Sequence, residues 1–183
     1  MNLKIPTKGL TLVLGGVRSG KSSFVEKIAR ESDKSVLFIA TAVAGDDEMV
    51  ARINKHKASR PADWQTLEIQ QRLGRKIIPP VADIVIVDCI TLLVSNILAS
   101  MSENAPVEDV MNKIHVEIDE LIDAQSKLGG QWLIVSNEVG LGVVPPYPLG
   151  RVYRDALGWA NQTLAKAAKQ VILMVAGIPM VIK

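Results

Sequence analysis

Leu10-Thr11-Leu12-Val13-Leu14-Gly15-Gly16-Val17-Arg18-Ser19-Gly20-Lys21-Ser22 is the stretch that decides the fold of this chain. A short apolar run that stops at paired glycines reads as a buried strand entering a tight turn, and Ser22 to Arg30 after it reads as a helix. Gly15 to Ser22 has the spacing G-x-x-x-x-G-K-[ST], in the strand-then-helix setting that gives this pattern its meaning. Glycines let the backbone fold round so that successive N–H groups face phosphate oxygens, and the helix adds its positive N-terminal end. Phosphate contacts are therefore expected from Gly15, Gly16, Val17, Arg18, Ser19, Gly20, Lys21 and Ser22. Lys21 should reach the β and γ phosphates, and the Ser22 hydroxyl should ligate Mg²⁺.

Working outward, Val36–Ala40, Ile84–Val87, Trp132–Val135 and Val171–Val175 are further short runs of continuous rather than alternating apolarity. Such runs suit strands covered on both faces. Helical periodicity fills the gaps at Met49–Lys57, Ile90–Ala99, Val107–Leu128 and Arg151–Lys169, so the pattern predicts an α/β fold with a largely parallel sheet flanked by helices. Val181-Ile182, after Gly177-Ile178-Pro179, is expected as an antiparallel C-terminal edge strand. Gly140–Gly150, with Pro145, Pro146 and Pro148, reads as a long loop after a strand end.

Composition narrows the classes. At 183 residues the chain is about one domain long by the prior of roughly 150 residues per domain. A hydrophobic fraction of 48% with 22% charged residues is that of a chain with a buried core. Twenty-one Lys and Arg against nineteen Asp and Glu leave a formal charge of +2, too small for a surface that coats nucleic acid. One Cys and two His make a structural zinc site implausible and suit a reducing, cytoplasmic setting. No uninterrupted apolar stretch reaches the roughly 18 residues of a membrane span.

Val85-Ile86-Val87-Asp88 is an apolar strand ending in a carboxylate, the expected partner of the cradle on the metal side. Cys89 next to it reads as a small buried hydrophobe. Asp46 to Lys57 starts with carboxylates and ends with cations, as a well-formed helix does. His56 there has Lys55, Lys57 and Arg60 as cationic neighbours, which keep the ring neutral and nucleophilic near pH 7. On the residues alone, a solvated surface histidine remains the commoner reading. His115 lies beside the apolar stripe of Val107–Leu128 and is expected to be structural. Trp64 suits either base stacking or an ordinary core, and Glu68 could accept hydrogen bonds from a guanine edge. A nucleotide-driven switch or motor, or a plain small-molecule kinase, are the competing readings of a cradle taken by itself.

Six motifs taken together resemble the bifunctional adenosylcobinamide kinase/adenosylcobinamide-phosphate guanylyltransferase family of cobalamin biosynthesis. They are Gly15-Gly16-x-Arg18-Ser19-Gly20-Lys21-Ser22, Asp47-Glu48-Met49-x-x-Arg52-Ile53-x-x-His56-Lys57, Arg60-Pro61-x-x-Trp64-x-Thr66-x-Glu68, Val87-Asp88-Cys89-Ile90-Thr91, Ser136-Asn137-Glu138-Val139-Gly140-x-Gly142 and Tyr153-Arg154-Asp155-x-x-Gly158-x-x-Asn161-Gln162. The resemblance runs from about Leu10 to Lys183. It implies a RecA-like P-loop fold, with residues 1–183 forming one kinase/guanylyltransferase domain. It also implies phosphorylation of adenosylcobinamide by ATP or GTP, then transfer of GMP from GTP through a histidine, here His56, to give adenosylcobinamide-GDP and pyrophosphate. By the same positional match, Ala40, Thr41, Ala42, Lys57, Ala58, Ser59, Arg60, Glu68 and Asp88 are expected nucleotide contacts, with Ser22 and Asp88 on the Mg²⁺ side. The family further implies a homo-oligomer, a trimer in similar proteins, with a corrinoid as partner substrate.

Overall fold

Every second residue of the central strands faces a different set of helices, which is why their apolarity is continuous. In this computed structural model, which describes residues 3–43, 50–51, 57–58, 60–79, 81–102 and 104–183, seven strands form one sheet. They are β1 (Gly9–Gly15), β2 (Val36–Ala40), β3 (Gln65–Glu68), β4 (Ile84–Asp88), β5 (Gln131–Val135), β6 (Gln170–Val175) and β7 (Ile178–Val181), in the spatial order β3-β2-β4-β5-β1-β6-β7. All neighbours are parallel except β6 and β7, an antiparallel hairpin. The expected edge strand thus exists, starting three residues earlier than Val181. The helix expected at Met49–Lys57 lies largely outside the described residues.

On one face, Phe38, Ile84, Ile86, Leu133 and Val135 pack with Val25 and Ala29 of α1 (Lys21–Arg30) and with Trp64. On the other, Leu37, Ile39, Val85, Val87, Trp132 and Ile134 pack with α3 (Ile90–Ala99), α4 (Val107–Leu128) and α5 (Pro148–Ala167). A short α2 (Leu73–Lys76) sits against α4. α5 begins at Pro148 rather than Arg151, because a proline in the first helical turn sacrifices an N–H that has no intrahelical partner. β3 has no counterpart in the sequence reading. All four of its residues are exposed, so no alternation of buried side chains marks it, and main-chain pairing with β2 alone defines it.

The contact between α2 and α4 shows how tightly the second face closes. The buried Glu117 carboxylate accepts the backbone N–H of Arg72 at 2.6 Å and of Leu73 at 2.7 Å, satisfying donors that the start of α2 leaves without intrahelical partners. One residue on, Gly74 lies so close to α4 that an added Cβ would meet the Glu120 carbonyl oxygen at 2.2 Å. Backbone cannot yield there as a flexible side chain can. Gly74→Ala should therefore destabilise the protein by about 1–3 kcal/mol, the usual range for overpacking. Urea unfolding of the two proteins measures this, and equal midpoints would show that α2 moves away freely.

Candidate active site

The carboxyl ends of β1, β2, β4 and β5 converge on a cleft of about 400 Å³. Open parallel sheets bind ligands at this edge, because loops and helix N-termini gather there. Its floor is the turn between β1 and α1. Gly15 has φ +148, and a Cβ on it would meet the Met174 carbonyl at 2.5 Å and Ser19 Oγ at 2.7 Å. Only glycine lets β1 end this close to β6. Gly20, at φ +95, then turns the chain into α1 through a left-handed conformation that costs a glycine little. Val17, Arg18, Ser19, Gly20, Lys21 and Ser22 all line the cleft, whereas Gly15 and Gly16, also expected as phosphate contacts, are not among its lining residues.

Lys21 is buried. Its ammonium donates to the Gly16 carbonyl at 2.6 Å and to Ser19 Oγ at 3.5 Å. Burial lowers its pKa from the ordinary lysine value, while the neighbouring Cys89 and Asp88 act in the opposite direction. Asp88 ends β4, in register with Ala40 on one side and Val135 on the other, so β5 separates its strand from β1. Asp88 and Ser22 line the same cleft and offer a carboxylate and a hydroxyl, the hard oxygen donors that suit Mg²⁺. Among the described residues there is no cluster of three His, Cys, Asp or Glu side chains able to cage a metal unaided. A cation held here would need its remaining ligands from phosphates and water.

The opposite wall carries Ala40, Ala42, Lys57, Arg60 and Glu68. Lys57 and Glu68 form an ion pair across it. The Arg60 guanidinium lies over the Phe38 ring at 3.7 Å, and its buried Nε and Nη1 have no hydrogen-bond partner among the described residues. Arg18, Lys21, Lys57 and Arg60 thus face a shared space with Asp88 and Glu68, a balance suited to a polyanion accompanied by a cation. Trp64 is buried against Phe38, with ring centroids 6.4 Å apart and Arg30 above it, and does not reach the cleft. His56 and Ser59 lie outside the described residues. Ala58 is exposed and is not part of the cleft lining.

Thr41 is fully buried and serves the cleft indirectly. Its Oγ1 donates to the Cys89 carbonyl at 2.7 Å and accepts from the Cys89 N–H at 2.8 Å, while its own N–H donates to Asp88 O at 3.1 Å. The ends of β2 and β4 are thereby tied together beside the Asp88 carboxylate. Thr91 and Asn137 also line the cleft, and Thr91 Oγ1 accepts the Asn137 N–H at 2.8 Å. Asn161 joins this rim by donating to the Asn137 carbonyl at 2.9 Å and accepting from Ser136 Oγ at 2.6 Å. Thr41 is an expected nucleotide contact by resemblance alone. Residue chemistry does not single out Thr91, Asn137 and Asn161 as site residues, and their only signal is membership of the Val87–Thr91, Ser136–Gly142 and Tyr153–Gln162 motifs. His115 stacks on Trp159 at 3.8 Å between ring centroids and stands apart from the cleft, as a structural histidine should.

The profile of the family described as CobU, cobinamide kinase / cobinamide phosphate guanyltransferase, matches residues 11–182. The chain belongs to this family. It is 41% identical over 174 residues to the bifunctional adenosylcobalamin biosynthesis protein CobP of Pseudomonas aeruginosa, covering 94% of this chain and 96% of the relative. The CobU protein of Salmonella typhimurium is 41% identical over 181 residues, covering 95% and 99%. That of Escherichia coli is 39% identical over the same length. Among solved structures, the flagellar accessory protein FlaH of Methanocaldococcus jannaschii superposes with a TM-score of 0.53 at 15% identity, covering 98% of this chain and 80% of that one. The RadB recombinase superposes with 0.50 at 15%, covering 90% and 73%. These two show the fold alone, a RecA-like P-loop architecture. The enzyme is accordingly a bifunctional cobinamide kinase and cobinamide-phosphate guanylyltransferase of cobalamin biosynthesis that uses nucleoside triphosphates. Among its described residues no helix is long and apolar enough to cross a membrane.

Cys89, on the cleft floor, gives a pH test of this geometry. Burial first, and the Asp88 carboxylate second, push its thiol up to about 11 from 9.0. An acid whose pKa is raised by folding keeps its proton longer in the native state, so the unfolded chain binds fewer protons above pH 9. The Cys89 contribution to stability should therefore fall as pH rises from about 9 to 11 and be flat below. Thiolate absorbance should appear near pH 11 in the folded enzyme and near 9 in urea. A native thiol titrating at 9 or lower would mean that the cleft floor is open to water.

Proposed function

We propose that this one cleft runs both reactions, with His56 as the covalent GMP carrier. The observation that carries the reading is the pairing of two walls. The cradle with Lys21 and Asp88 faces a second wall formed by Lys57, the residue that follows His56 in the chain, with Arg60 and Glu68. In the kinase step, the aminopropanol hydroxyl of adenosylcobinamide attacks the γ phosphorus of the triphosphate. The bond to the β-γ bridging oxygen breaks, the nucleoside diphosphate leaves, and the hydroxyl proton passes to solvent water. Lys21 stabilises the charge that spreads over the transferring phosphoryl oxygens. In the transferase step, a neutral His56 ring nitrogen attacks the α phosphorus of GTP and pyrophosphate leaves. A phosphate oxygen of adenosylcobinamide phosphate then displaces the histidine to give adenosylcobinamide-GDP.

Mg²⁺ bound with the triphosphate, between Ser22 and Asp88, would supply charge neutralisation at the phosphate oxygens. The backbone N–H groups of residues 15–22 orient the phosphates, and Arg60 offers an anion on the far side its Nε and Nη1, which have no partner among the described residues. In this reading Glu68 accepts hydrogen bonds from a guanine edge once the base displaces its Lys57 partner. ATP and GTP serve the kinase step in this reading, residues 1–183 act as one domain, and a cytoplasmic homo-oligomer is the working assembly.

Incubation with GTP and Mg²⁺ followed by intact mass tests the carrier. Wild type should gain one GMP, and His56→Ala should gain none while keeping kinase turnover. An adduct that persists in His56→Ala would move the carrier elsewhere. Lys21→Ala should lower kinase kcat by at least about 100-fold, since a preorganised donor to the transition state is lost. Turnover within a few fold of wild type would show that the phosphates lie elsewhere.

A further inference from the structure

We propose that the Gly140–Gly150 loop is the platform on which the corrin macrocycle rests, an assignment that depends on the corrinoid-processing activity stated above. Size is the first argument. A cleft of about 400 Å³ is at the small end for a single drug-sized ligand, so a bound nucleotide leaves no room in it for a macrocycle. The corrin ring must lie outside, within reach of the cleft by its aminopropanol arm.

Continuity is the second. Asn137 lines the cleft, and the next residue, Glu138, donates its N–H to the carbonyl of Gly15 in the cradle at 3.2 Å. From there the chain runs directly into the loop, where the Glu138 carboxylate accepts the Gly140 N–H at 2.8 Å. Along it, Leu141 is 87% exposed and Val143 95%, followed by exposed Val144, Tyr147 and Leu149. Four large apolar side chains in seven residues, with Leu149 in the first turn of α5 as a fifth, all turned to solvent, are hard to reconcile with a segment that only connects β5 to α5. The faces of a corrin ring are apolar and rimmed by methyl and amide groups, which is the chemistry such a surface recognises.

The loop is also built. The Arg151 guanidinium donates to the carbonyls of Pro145 and Pro146 at 3.1 and 2.9 Å. Gly150 lies so near the Tyr147 ring that a Cβ there would meet it at 2.5 Å. With three prolines restricting the backbone, little conformational freedom is left to lose on binding.

The test uses the full chain and four measurements on Leu141→Ser/Val143→Ser. These are the thermal midpoint, GMP-adduct formation from GTP without corrinoid, KM for adenosylcobinamide and its phosphate, and sedimentation velocity. Both side chains are exposed, so the midpoint should not move. Adduct formation and KM for GTP should stay within twofold, while KM for both corrinoids should rise at least about tenfold, equivalent to roughly 1.4 kcal/mol of lost contact. Met180→Ser/Val181→Ser, on the exposed β7 edge, should leave every value unchanged. An unaltered corrinoid KM in the loop variant overturns the platform, as does a rise accompanied by a smaller sedimenting species, which would make the loop a contact between copies. Wild type that turns over no corrinoid would remove the functional reading and the platform together. Wild-type turnover with an insensitive loop removes the platform alone.

Discussion

An ammonium ion held out of water at the floor of a cleft is the constraint on which the rest of this structure depends. Lys21 is buried against the Gly16 carbonyl, and a cation so placed is costly unless oxygen surrounds it. Three features of the fold follow. The turn must bring its carbonyl back to the lysine, which fixes glycine at positions 15 and 20. The β4 strand must end in a carboxylate nearby, and Asp88 raises the Lys21 pKa that burial depresses. The end of β6 must pack under the turn, which brings the Met174 carbonyl to where a side chain at position 15 would stand. A triphosphate would complete the same electrostatic set, because it would bring negative charge into a cleft whose two walls already hold Arg18 and Lys21 on one side and Lys57 and Arg60 on the other.

The parallel sheet was legible because burial on both faces writes itself into the sequence as unbroken apolarity. Ile84–Val87 alternates between two helix layers with no polar residue between. The strand-turn-helix around Lys21 was legible for a different reason: its chemistry is local, with every participant inside eight residues. β3 was not, because Gln65-Thr66-Leu67-Glu68 buries nothing and is a strand only through its neighbour's main chain. The same distinction divides the site. Lys21, Ser22 and Asp88 could be named from spacing and strand context. Thr41, Thr91, Asn137 and Asn161 act on partners 24 to 48 residues away, and nothing in their immediate surroundings distinguishes them from ordinary polar residues. Glu68 could be named from its carboxylate and Lys57 and Arg60 as cations near His56, while their membership of the nucleotide contacts, like that of Thr41, came from a longer pattern resembling a known family.

Those distant hydrogen bonds have a consequence for how rigid the cleft is. Thr41 joins the end of β2 to Asp88 and Cys89, Thr91 joins the start of α3 to the end of β5, and Asn161 fastens β5 to α5. Each bond is modest alone, but they are at least partly buried and run from element to element, so a shift in one strand end would cost several at once. The carboxylate is thereby held at a fixed distance from the cradle. Phosphoryl transfer needs this kind of support, since most of its catalysis is positioning and charge stabilisation rather than covalent chemistry by the protein.

Two group transfers from so few residues place different demands on one cradle. The kinase step breaks the bond to the γ phosphorus and the guanylyl step breaks the bond to the α phosphorus, so a nucleophile fixed for one is misplaced for the other. In the proposed scheme, a covalent carrier attacking from the wall opposite Lys21 resolves this, because the triphosphate can stay seated while attack comes from a second direction. The carrier also lets GTP cleavage and corrinoid capture occur at separate times, which relieves the cleft of holding a nucleotide triphosphate and a macrocyclic phosphate together. With His115 committed to its stack on Trp159, the only other histidine in the chain is His56, and it immediately precedes the lysine that lines that wall.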